Sequence, residues 1–199
     1  FRRSLSMKKQ VMSSVLPTCC LFGLLIAAST GVRATLFAAD DNQKMQSTRA
    51  DFKEYCDVMQ GRWIGKVVWI ADWPGFGKKG DTITAYRDVR VTEDGNALLM
   101  KFHIGPGTGT VLCVYDAGDR QIKFHGITSG GAAYNSIVFK DQGKWRMNVN
   151  GTLPDGKKVA GLETHDVSDD GTTHTQSGVL TIGGEKTDPL QDVWTRLKK

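Results

Sequence analysis

The residues best suited to chemistry lie in one short stretch of the chain. Glu163 and His165 are separated by a single residue, and His174 lies in the next segment. In a strand, alternation puts Glu163 and His165 on one face. If Ser168–Gly171 forms a hairpin loop, Val167 pairs with Thr172 and His165 falls opposite His174, with Gln176 on the same face. Two histidines and a carboxylate on one face are the ligand set of a facial metal triad. The same set serves as a general acid–base pair or as the polar anchor of a ligand cavity. Arg87 has the parity of Ile83, Val89 and Val91, which puts its guanidinium inside unless a β-bulge turns it outward. No catalytic residue can be assigned. There is no G-x-S-x-G nucleophile elbow and no H-E-x-x-H metal motif. Gly105-Pro106-Gly107-Thr108-Gly109 lacks the Lys-Ser/Thr pair of a phosphate loop and leads into a strand, so it reads as a flexible hairpin loop at a rim. The cofactor stays unknown, and no metal is assigned.

The elements that must position these residues follow from periodicity. From Ser47 to Gln60, the apolar side chains Phe52, Tyr55, Cys56 and Met59 have the spacing of one helical face. Ser47 or Thr48 can cap its start and Gly61 can end it. After Gly61 the period becomes two. The spacing predicts strands at Trp63–Ile70, Thr82–Thr92, Ala97–Ile104, Thr110–Asp116, Gln121–Thr128, Ala133–Lys140, Lys144–Asn150, Lys158–Val167, Thr172–Ile182 and Gln191–Lys198. Turns such as Asp141-Gln142-Gly143 and Pro154-Asp155-Gly156 separate them. An antiparallel meander of about ten strands curls and closes, because closure removes the exposed edges. The fold class is therefore all-β, an up-and-down barrel with the N-terminal helix closing an end. His103 and His125 have outward parity. Trp73 to Lys79 is a long loop with two aromatics and two cations, either a surface loop or a lid at the entrance.

Gly61-x-Trp63 after a short helix, with Arg196 in the last strand, resembles the signature of the calycin barrels, which include lipocalins and fatty-acid-binding proteins. The opening Gln60-Gly61-Arg62-Trp63-Ile64-Gly65 and the ending Asp192-Val193-Trp194-Thr195-Arg196 look most like uncharacterised lipocalin-like bacterial domains. The resemblance covers roughly 51–199. It implies that Trp63 sits at the barrel floor with Arg196 packed across it, a structural role. It also implies that an interior arginine such as Arg87 can hold a ligand carboxylate.

Charge and leader bound the setting. The chain of 199 residues carries a formal charge of +5. Five basic side chains and no acid precede Thr35 (Arg2, Arg3, Lys8, Lys9 and Arg33), so the remainder holds 21 basic against 21 acidic residues. A neutral domain does not suit nucleic acid. Met7-Lys8-Lys9, the apolar run Leu21–Ala28 and Val32-Arg33-Ala34 read as a signal peptide over 1–34, starting at Met7. A flexible leader then spans 35–46 and the barrel domain 47–199. Export to the periplasm or the exterior follows, with no stable membrane span once the signal is removed. Cys56 and Cys113 are the cysteines left after removal, either one bridge or two buried thiols.

The expected function is an exported barrel that binds a small apolar or amphipathic ligand. Its polar head would meet Glu163, His165, His174 and Gln176 at a wet mouth, with Arg87 nearby, and its body would lie against Trp145, Met147 and Phe102. Two alternatives stay open. One is a metal-assisted or acid–base enzyme using Glu163, His165 and His174. The other is a filled barrel acting as an envelope interaction module.

Overall fold

Helix α1 spans Arg49–Met59 and is fixed at its start by Thr48, whose hydroxyl accepts from the Asp51 amide at 3.1 Å. The Asp51 carboxylate accepts from the Thr48 amide at 2.7 Å in return, a capping box that satisfies two otherwise orphaned donors. A computed structural model of the chain describes residues 44–198, so the expected signal peptide and the leader through residue 43 lie outside the described residues. The face of α1 that carries Phe52, Tyr55, Cys56 and Met59 is buried, as the spacing predicts. Gly61, at φ +128°, turns the chain from the helix into the first strand, a backbone angle that side-chain-bearing residues rarely adopt.

The strands are β1 (Gly61–Val68), β2 (Thr82–Thr92), β3 (Ala97–Ile104), β4 (Gly107–Asp116), β5 (Gln121–Thr128), β6 (Ala133–Asp141), β7 (Lys144–Thr152), β8 (Lys158–Val167), β9 (Thr173–Ile182), β10 (Glu185–Lys186) and β11 (Leu190–Arg196). Every pairing is antiparallel, from β1–β2 onward to β8–β9. β9 then pairs with β11, and β11 with β1, which closes a barrel of ten strands. The short β10 lies outside that ring. It continues the edge of β9 that β11 occupies, after an interruption at Thr187-Asp188-Pro189. Pro189 has no amide hydrogen to give the ladder, which accounts for a break missed by periodicity alone.

Two expectations need correction. Gly105–Gly109 is only partly a loop, because β4 already begins at Gly107. The β8–β9 connection is also longer than the sequence implies. Val167 pairs with His174, and His165 with Gln176. The extra length comes from side chains that close the turn: Ser168 Oγ accepts from the Thr173 amide at 2.9 Å, and the Asp170 carboxylate accepts from the Thr172 amide at 3.0 Å. A shift of two residues preserves side-chain parity, so the inner face survives the error.

The core is the lumen. Trp63 faces Arg196 across β1–β11, as the barrel resemblance implies. The Trp63 indole donates to the Met59 carbonyl at 3.0 Å, which seats α1 on this end of the barrel. Arg196 lies 4.2 Å from the Trp63 ring and donates to the carbonyls of Val58, Gln60 and Gly171. It thus ties the helix terminus to the β8–β9 turn at the same floor.

Candidate functional site

Inside the barrel lies a cavity of about 220 Å³. Its walls are mostly apolar, with Val67, Met100, Phe102, Met147, Val149 and Leu180 among them. Polar side chains also face it, among them Tyr55, Arg87, Glu163, His165, Gln176 and Asp192. Inward parity on β2, β8, β9 and β11 brings five of these together, and α1 supplies Tyr55 from the floor.

Arg87 points inward, and no bulge turns it out. It is 5% exposed, and its guanidinium lies 5.0 Å from the Trp63 ring and 4.4 Å from the Trp194 ring. Burial lowers its pKa to about 9, which leaves it protonated at neutral pH. A terminal nitrogen of Arg87 donates to Nδ1 of His174. An arginine can only donate, so Nδ1 presents its lone pair and the imidazole proton sits on Nε2. Burial first, and then the Arg87 charge, hold the His174 pKa far below the usual value, so the ring is neutral. His174 is fully buried behind Arg87 and does not line the cavity.

His165 does line it, and neither ring nitrogen has a hydrogen-bond partner. Its Nε2 lies 3.5 Å from Glu163 Oε2 without hydrogen-bond alignment, while that oxygen accepts from Gln176 at 2.7 Å. Asp192 is 6% exposed, and its Oδ1 has no partner. Burial pushes the Asp192 carboxyl up to about 7, against the lowering effect of the Val68 amide, and the Glu163 charge raises it further. Tyr55 Oη is also buried and unpartnered. Buried polar atoms are normally paired. Here several unpaired ones face the same cavity, which gives it hydrogen-bonding capacity that the chain itself does not use.

The structure therefore sets four of the expected residues, Arg87, Glu163, His165 and Gln176, on the cavity wall and two off it, with the His174 ring still 5.1 Å from that of His165. His174 is a partner of Arg87 within the floor. Trp145 packs under α1, with its ring 5.0 Å from Tyr55, and does not line the cavity. The polar set also lies toward the helix-capped end, not at a wet mouth. The reason is that the β8–β9 turn belongs to the floor, where Arg196 Nε donates to the Gly171 carbonyl at 2.6 Å. Asp192 and Tyr55 escaped the sequence reading. Asp192 shares parity with Trp194 and Arg196, a signal strong enough to have found it.

The other end carries a lid. Trp73 to Lys79 is not a plain surface loop: Phe76 is buried, and Trp73 pairs with Gly77 across a tight turn. The Trp73 ring stacks with Trp69 at 6.0 Å and with Tyr134 at 6.5 Å. A Cβ on Gly130 would collide with the Pro74 carbonyl oxygen, and one on Gly107 with the Phe76 ring. Both glycines are thus needed for the lid to seat.

Arg87 occupies one nitrogen of His174, and among the described residues no group of three or more His, Cys, Asp or Glu is placed to hold an ion. Cys56 and Cys113 are free thiols, both buried, and not a bridge. Among the described residues no helix is long and apolar enough to cross a membrane. No known protein-family model matches the chain, and no curated protein matches it.

Proposed function

We propose that this chain is an exported, calycin-like barrel that binds a small amphipathic molecule in its lumen. The observation that carries this reading is a largely apolar cavity with buried, unpartnered polar atoms of Tyr55, His165 and Asp192 facing it. A volume of about 220 Å³ lies below the ~300–1,000 Å³ of pockets for drug-sized ligands, which favours a small ligand. The aromatic lid supports a buried ligand over a surface-bound one. The same cavity argues against a filled barrel serving only as an interaction module. Glu163, His165, Gln176 and Arg87 contact the polar head in this reading, and Phe102 and Met147 the apolar body.

The test is titration with the uncharged fluorophore N-phenyl-1-naphthylamine. Saturable enhancement at one site per chain, competed by an eight-carbon alcohol, is expected. No enhancement and no competition would remove the reading. For export, N-terminal sequencing of protein recovered from the envelope is expected to begin at Thr35, and an intact leader would reject cleavage there.

A further inference from the structure

Two carboxylates face the lumen against one permanent cation, and that cation is already engaged. Glu163 and Asp192 both face the cavity, against the single guanidinium of Arg87. That guanidinium lies against two indole rings and donates to His174, and no carboxylate lies within 4.0 Å of it among the described ion pairs. The unpartnered atoms point the same way. Asp192 Oδ1 can only accept when ionised, and Tyr55 Oη and a neutral His165 nitrogen can accept as well. Asp192, Tyr55 and His165 are each at least nine-tenths buried.

Resting on the lumen-binding reading, we infer that the polar head taken by this cavity is a protonated amine, held by Asp192 and Glu163. Buried charges require partners. An anionic head would add a third negative group beside one guanidinium, whereas an ammonium brings two acids and two cations into balance. The aromatic faces of Phe102, Phe124 and Tyr134 add favourable quadrupoles for a cation or its flanking methylenes. The groups that bear on Asp192 are the Val68 amide of β1, Glu163 of β8 and Arg87 of β2, with Gln176 of β9 as its cross-strand neighbour and His165 and Tyr55 on the same cavity wall. Before binding, the proton on Asp192 supplies the balance. The ammonium replaces that proton, which leaves to solvent, so no bond other than the Asp192 O–H is broken.

Isothermal titration of the folded chain with n-octylamine, 1-octanol and octanoate tests this. Octylamine is expected to bind at least tenfold more tightly than octanol, with octanoate weakest. Octylamine affinity should rise from pH 6 to pH 8, and buffers of different ionisation heat should report a released proton. Equal binding of amine and alcohol, or tightest binding of octanoate, overturns the amine inference and leaves lumen binding standing. No binding by any of the three overturns both. In D192N the amine-over-alcohol ratio should fall toward one. E163Q gives a second measure if D192N folds poorly, with thermal unfolding as the check on each. A tenfold preference kept by both folded variants overturns the assignment.

Discussion

Trp63 and Asp192 show how differently two inward residues can act. Trp63 is fully buried and bonded to α1 through its indole, so its truncation removes packing and a helix contact together. Trp63→Ala should cost about 3–5 kcal/mol, read by urea unfolding. Arg196→Ala is expected to cost less, because part of the guanidinium stays solvated. Equal stability of Trp63→Ala and wild type would contradict this floor. Asp192 instead makes stability depend on pH. Its folded pKa, about 7, lies above the ordinary 3.8, so the unfolded chain gives up this proton first as pH rises. Stability contributed by the protonated form is fully present below about 4 and is lost as pH rises toward 7. His174, with a lowered pKa, acts oppositely below 6.5 and masks the trend in wild type. The stability of D192N minus that of wild type should therefore grow between pH 4 and 7, by at most about 1.4 kcal/mol per unit, and level off above. A difference independent of pH would show that Asp192 ionises in the folded state as it does in the unfolded chain. Parity made Arg87, Glu163, His165 and Gln176 legible in the sequence. Partnership was not legible, because the Arg87–His174 bond joins β2 and β9, which have β1 and β11 between them in the sheet.

At the scale of elements, the ten barrel strands were readable because they alternate and most are separated by turns of Gly, Asp or Pro. The helix was readable because one face is apolar and Thr48 caps it. Two elements were not. The β8–β9 turn is lengthened by hydrogen bonds of Ser168 and Asp170, which no periodicity records. The lid has no period at all; its order comes from contacts with Tyr134, Phe102 and the glycine turns across the barrel. Its loss should therefore be separable from unfolding. Gly130→Ala places a methyl against the Pro74 carbonyl and is expected to unseat the lid. The expected result is a red shift in tryptophan emission, from Trp69 and Trp73, and faster dissociation of bound fluorophore. Unchanged emission and unchanged dissociation would mean that the lid does not gate the cavity.

The described residues form a ring of strands with one end stoppered by a helix, and the two thiols among them report on that arrangement. Cys56 sits on α1 and Cys113 on β4, each no more than 3% exposed. Burial, with a smaller contribution from Asp57, pushes the Cys56 thiol up to about 11, and burial pushes Cys113 higher still. Both are therefore protonated and shielded at neutral pH, the unreactive form. In protein lacking residues 1–34, a disulfide reagent should find neither Cys56 nor Cys113 in the native state and both after unfolding in urea. The time course carries more than the count. If α1 is an integral stopper, reaching Cys56 requires the same global opening as reaching Cys113, and the two should react at one rate that follows global unfolding. If α1 instead lifts away while the ring stays closed, Cys56 reacts first, and octylamine exchange should share its rate, because the cavity would then open through the floor. Finding no free thiol in urea, in protein prepared without reductant, would show that the pair is bridged and that the stopper is covalently locked to β4.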